Sequence, residues 1–229
     1  MVKHLFKQLL LGILAGLAIG LGSFLFVLTK TFIKNELEEL GNILAALVFS
    51  VGLFLVCTFS LSLFTGKIGL VFEKKQDLPF YLSLPVMIIG NAIGAIGLGY
   101  ICFAIFKDTS LYQVVEAATK TRTDVYNPVT AFLPFLRTLI KGVACGLCVY
   151  FAVKSFAFNR LRPVGILLLI FFVFIFVYFG FEHCIANMFY FSMANKWDGG
   201  AFIDLFLVIF ANSIGTIPGV FLLKLTEKS

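Results

Sequence analysis

The sequence predicts an all-α membrane protein in one domain, built from two inverted three-span halves with an interrupted helix in each. Three observations carry this. Charged residues make up 13% of the 229-residue chain and hydrophobic ones 60%, whereas water-soluble domains carry about 25% charge. Six apolar runs, roughly 5–33, 40–72, 80–106, 132–158, 163–195 and 201–224, each reach the about 20 residues a bilayer-spanning helix needs. One small motif, Asn-x-Ile-Gly-x-Ile, occurs twice, at Asn91 and again at Asn212.

The first run follows Lys3 and Lys7 and extends past Thr29, too long for the core of a signal peptide, so it reads as the first span. Gly12, Gly16 and Gly20 recur every fourth residue along it, a stripe that lets another helix or subunit approach closely. The second and fifth runs are each about 33 residues, too long for one straight crossing. Each carries an oddity: "SLSLFTGKIG" from Ser60 in one, and Glu182–His183 in the other. The third and sixth runs carry the paired motifs, "GNAIGAIGLG" from Gly90 and "ANSIGTIPGV" from Ala211. Halves of about 1–106 and 132–229, joined by a charged, threonine-rich connection at 107–131, each hold three spans and so cross in opposite senses. Inverted repeats with broken helices build transport sites near the bilayer midplane. The breaks must then face protein or water, because lipid cannot satisfy their freed backbone groups.

Basic residues set the orientation. With the N-terminus in the cytoplasm, the inner segments hold most of the Lys and Arg with few acids, so both termini are expected inside the cell membrane. The net charge of +6 is then a topology signal and needs no nucleic acid to explain it. All five cysteines fall in apolar runs, and the Cys145-x-x-Cys148 pair has no second pair to complete a metal site. It reads as small packing residues. His4 is the only other histidine, which excludes a two-histidine metal motif. No cofactor, metal or enzyme activity is expected.

Glu182 and His183 stand in the middle of the apolar run 163–195, with no other charged residue between Arg162 and Lys196. Ionisable groups within a membrane segment are costly and by default functional. Adjacent helical positions diverge by about 100°, so one of the two can brace the break while the other faces a pore. Histidine suits the pore, since its ordinary pKa of about 6.5 permits proton exchange near neutrality.

"FEHCIANMF" (Phe181 to Phe189) resembles the F-E-H-S-I-A-N-M signature of the formate–nitrite transporter family. "SLFTGK", from Ser62, resembles its L-F-T-(S/G)-N loop, "GNAIGAI" its G-N-x-I-G element, and "KGVACGLCVYFAV", from Lys141, its R-G-I-L-C-N segment. The resemblance runs from the first span to the last. It implies an aquaporin-like fold with interrupted second and fifth helices, a homopentamer with one pore per subunit, and passage of small monovalent anions or their conjugate weak acids. Formate leads, with nitrite, hydrosulfide or another monocarboxylate open. It implies His183 as the central pore residue facing Thr65, with Asn187 in the histidine motif. Phe49, Leu53 and Phe176 would form an outer constriction, and Leu63 and Phe64 an inner one. Glu182 and Ser62 would support the two breaks. A bare anion loses its hydration between such apolar walls while a neutral acid does not, and a histidine between them can supply a proton or a charge-assisted hydrogen bond.

Three positions depart from the family pattern. Ser62 stands where an acid is usual, and Thr130 and Gly146 stand where the vestibule lysine and the fourth-span asparagine are usual. Lys120, Arg122 and Lys141 are the nearby cations that can replace the lysine. Two alternatives share the composition. An aquaporin-type neutral-solute channel would carry N-P-A at its breaks, which this chain lacks. A non-transporting membrane subunit would use Glu182 and His183 only to tie helices together.

Overall fold

Apolar side chains that gain nothing by leaving lipid can stay outside, while the few polar groups must find partners within. The chain is built that way. The computed structural model describes residues 1–33, 37–123, 132–158 and 161–226. Its outward surface carries Ile89, Ile93, Ile101, Phe206 and Phe210, whereas Ser23, Asn91, Asn187, Asp204 and Asn212 are fully buried.

The elements are α1 (Val2–Phe32), α2 (Glu38–Thr58), the short α3 (Phe64–Lys67) and α4 (Leu70–Glu73), α5 (Leu78–Phe106), α6 (Ser110–Thr123), α7 (Phe132–Phe158), α8 (Arg162–Tyr178), α9 (Cys184–Met193), α10 (Gly199–Ile214) and α11 (Thr216–Thr226). Their starts follow local chemistry. The Asp77 carboxylate accepts from Phe80 N–H at 3.0 Å and opens α5, and Asp198 accepts from Ala201 N–H at 2.9 Å and opens α10.

Among the described residues, five helical segments are long and apolar enough to cross a bilayer: Val2–Phe32, Glu38–Thr58, Leu78–Phe106, Phe132–Ala157 and Gly199–Leu225. The run expected as a fifth span, 163–195, is divided between α8 and α9, neither of which reaches that length. The run 40–72 likewise breaks after Thr58, leaving α2 long enough by itself.

α1 packs against α5 and α2, α7 against α8 and α10, and α5 against α9. The glycine stripe of α1 makes its closest approach within the chain. A Cβ at Gly16 would collide with the Asn91 carbonyl of α5, and one at Gly146 of α7 would collide with that of Asn212. Only a missing side chain permits these backbones to touch.

Part of the charged connection 107–131 is the helix α6. Leu111, Val115 and Thr119 form its buried face. Tyr112 Oη donates to Ala194 O at 3.2 Å, and Lys196 pairs with Glu116 at 3.2 Å, tying α6 to the end of α9. Thr130 lies outside the described residues.

Candidate functional site

The two breaks are built alike. α2 ends after Thr58 and α8 after Tyr178, and each closes with a residue of positive φ two positions on: Ser60 at 52° and Gly180 at 63°. Leu61 N–H then reaches back to Val56 O at 2.9 Å, and Phe181 N–H to Phe176 O at 2.8 Å. These are the six-to-one bonds that seal a helix end with a left-handed residue.

Beyond each seal the chain runs extended before a new helix starts. One asparagine holds each extended piece. Asn91 Oδ1 accepts from Phe64 N–H at 2.8 Å, and its Nδ2 donates to Gly12 O and Ser62 O, both at 2.9 Å. Asn212 Oδ1 accepts from Cys184 N–H at 3.0 Å, and its Nδ2 donates to Gly142 O at 2.9 Å and Glu182 O at 2.8 Å. The repeated motif in the sequence is therefore a staple. It satisfies broken backbone that lipid would leave bare.

The staples bring the breaks together. Thr65 Oγ1 lies 3.0 Å from His183 Nε2, and both residues are buried. His183 is also the N-cap of α9, its Nδ1 accepting from Ala186 N–H at 3.3 Å. A backbone amide can only donate, so this contact assigns the ring proton to Nε2, which donates to Thr65. No acceptor for the Thr65 hydroxyl proton is found among the described residues, so that proton is free to turn toward a third group.

His183 lies at the floor of a funnel of about 620 Å³ between α1, α2, α6 and the second break. Phe49 and Phe176 flank it there, their rings edge-on with centroids 5.6 Å apart. Phe176 stacks on the His183 ring at 6.0 Å. Leu53 is buried in the main core, outside the funnel lining. Leu63 is buried at the start of α3. The Phe64 side chain packs against Leu84 and Met87 of α5.

Of the three cations that could replace the family lysine, Arg122 and Lys141 line the funnel. Lys120 lines a separate surface groove beside Glu116 and Trp197. Arg122 is the one fixed in place. Its Nε donates to Glu182 Oε2 at 2.8 Å and Asn187 Oδ1 at 3.0 Å, and its Nη1 to Ala118 O at 2.7 Å. The guanidinium carbon stands 5.1 Å from the centre of the Tyr190 ring. Burial pulls the arginine pKa down, and Glu182, Tyr190 and Asp204 together outweigh it and leave it raised. Nη2 has no acceptor among the described residues.

Sequence reasoning left three cations open, yet the sequence held a signal for Arg122. It falls three residues after Thr119, on the same helical face as Leu111 and Val115. Ser62, at the place matching Glu182, makes no charged contact. Its hydroxyl donates to Gln8 Oε1 at 2.5 Å.

The whole chain finds relatives. The Formate/nitrite transporter family matches residues 1–226. The uncharacterized transporter YrhG of Bacillus subtilis (strain 168) is 28% identical over 218 residues, 90% of this chain and 79% of that one. The formate channel BtFdhC of Bacillus thuringiensis is 31% identical over 191 residues, 81% of this chain and 71% of that one. Among solved structures, a pentameric formate channel with formate bound superimposes with a TM-score of 0.81 at 26% identity, covering 96% of this chain and 95% of that one. An ion channel of the same family, at 18% identity and a TM-score of 0.71 over 94% of this chain and 86% of that one, shares the fold. These relatives are channels and transporters, not enzymes. Matched along nearly its full length, the chain belongs to the formate/nitrite transporter family of membrane transport proteins.

Proposed function

We propose that this chain carries small monovalent anions across the cell membrane together with a proton, with formate as the leading substrate. The observation that carries the reading is the Thr65–His183 bond at the floor of a funnel whose wall holds a fixed arginine. The two stapled breaks support an inverted repeat of six spans, with α8 and α9 together completing the fifth. The pentameric formate channel it resembles supports a homopentamer. Both termini lie inside, and the funnel opens outward.

Arg122 gathers the anion. Its free Nη2 edge offers the charge-assisted donor that an oxyanion lacks among phenylalanines. Beyond Phe49 and Phe176 an anion would shed its water with nothing in exchange, so it passes as the neutral acid. His183 contributes by donation. Its Nε2–H fixes the Thr65 oxygen as an acceptor, and the Thr65 hydroxyl proton turns to the passing carboxyl group. Protonating His183 Nδ1 would break the Ala186 cap, so the bulk proton reaches the substrate before the ring gives one up.

Uptake of labelled formate into proteoliposomes, at about pH 5.5 and about pH 7.5, tests this with wild type, Thr65→Val and His183→Ala. Wild-type uptake rises at acid pH, and each variant loses about tenfold or more at both pH values. Equal uptake by all three makes the pair structural and ends the reading. Equal flux of an uncharged solute such as glycerol would favour the neutral-solute alternative. Flux of nitrite or hydrosulfide without formate keeps the pore and changes the substrate.

A further inference from the structure

α10 buries a stripe of Ala201, Asp204, Leu207, Val208, Ala211 and Asn212. A carboxyl group among alanines and valines is out of place, and Asp204 has no exposed surface. Its Oδ2 accepts from Asn187 Nδ2 at 2.9 Å, while Oδ1 is buried with no partner among the described residues. The same Asn187 Nδ2 also donates to Glu182 Oε2 at 3.1 Å. Two carboxyl groups thus converge on one amide nitrogen, and one guanidinium, bonded to Glu182 and to Asn187 Oδ1, serves both.

Lys30, Glu38, Lys141 and His183 line the same funnel, and none of their side chains bonds to the cluster among the described residues. Tyr190 and Cys184 face the cluster from α9, and Cys145 stands beside Glu182 from α7. Glu116 of α6 is taken by Lys196. Lys224 of α11 donates to Phe72 O instead. With Glu182 and Arg122 both charged, the cluster is neutral only if Asp204 keeps its proton. Carboxylates that share a buried site cannot all ionise cheaply.

We propose that Asp204 is a proton-holding residue behind the funnel, whose protonation sets the charge that an anion meets at Arg122. With the proton on, the arginine is balanced by one carboxylate and its Nη2 edge attracts an anion. With the proton released to solvent, the cluster carries one net negative charge, which offsets the pull of Lys30 and Lys141 on the funnel wall and weakens the hold on the anion. Binding is reciprocal, so an anion at Arg122 favours the protonated acid, and the funnel loads an anion and a proton together. Asp204 is a positioning residue, since Asn187 stands between it and the funnel. The anion half of this proposal rests on the permeation reading above, and the proton half does not.

Two measurements on the intact purified oligomer separate them. The first is the infrared difference spectrum between about pH 5.5 and about pH 8.5, read at the C=O band of a protonated carboxylic acid. Wild type shows a titrating band, Asp204→Asn loses it, and Asp204→Glu restores a shifted one. A wild type without such a band, or an Asp204→Asn variant that keeps it, overturns the proposal. The wild-type spectrum decides even if a variant fails to assemble.

The second is inhibition of formate uptake by nitrate, an anion that does not titrate in this range. In wild type the inhibition constant rises about fivefold or more from acid to alkaline pH, and in Asp204→Asn it stays low throughout. An unchanged pH dependence in Asp204→Asn overturns the coupling. A titrating band in a wild type that moves no formate supports the proton site and overturns the permeation reading instead.

Discussion

The break after α2 and the break after α8 share one backbone and almost no chemistry. Both are sealed by a left-handed residue, run extended for a few residues and are stapled by one asparagine through three hydrogen bonds. At the corresponding side chains they part. Ser62 meets Gln8, neutral to neutral, where Glu182 meets Arg122. Leu63 occupies the place of His183, and each precedes the residue whose N–H the staple holds. The scaffold is what the duplicated motif preserves. The single substitutions on it give the second break a fixed cation, Arg122, where the first has the neutral Gln8.

The largest effect tests the scaffold. Asn212→Ala orphans the Cys184 N–H and the Glu182 carbonyl in a buried setting and removes the extra donor to the Gly142 carbonyl. At about 1–3 kcal/mol per unsatisfied group, the variant loses most of a small protein's stability margin. Asn91→Ala loses a similar amount, read as thermal unfolding in detergent. A large loss in one and a small loss in the other would break the equivalence of the two breaks.

The next effect tests the difference. Arg122→Gln removes the cation from the funnel and leaves Glu182 without its partner. The half-saturating formate concentration rises about tenfold, the equivalent of about 1.4 kcal/mol. Adding Glu182→Gln restores stability, because the uncompensated buried charge is gone, but leaves the affinity low. Recovery of affinity in the double variant would mean that Arg122 serves only to neutralise Glu182.

The smallest effect is at the seals. Ser60 holds a positive φ that costs an L-residue strain, and Gly180 holds the same conformation freely. Ser60→Gly stabilises by about 0.5–1 kcal/mol and Gly180→Ser destabilises by about the same, compared by unfolding midpoint. Equal and null results would show that the seals are held by their surroundings rather than by backbone preference.

Much of this was legible in the chain. The apolar runs gave the helices because lipid leaves few other options for backbone, and the Asn91 and Asn212 motifs marked the staples because no other residue offers one acceptor and two donors in so small a side chain. His183 stood out as an ionisable group in an apolar run. Asp204 met the same criterion and was passed over, since a lone carboxylate near a span's start looks like a flanking charge until its burial is known. Arg122 is one of three candidate cations, with Lys120 and Lys141, and only its place on the α6 face of Leu111, Val115 and Thr119 sets it apart. That the Phe64 side chain packs against Leu84 and Met87 of α5 is a contact that sequence spacing does not describe.

The staples also set an order of assembly. Asn91 takes its partners from residues 12 to 64, and Asn212 takes its own from 142 to 184. Each half can therefore be fastened as soon as it leaves the ribosome. The bond between Thr65 and His183 spans 118 residues and joins one fastened half to the other. During synthesis the first break waits, finished but unpaired, until the second arrives. A chain ending before α8 keeps every bond of the Asn91 staple but lacks α8 and α9, the helices on which α2 and α5 pack.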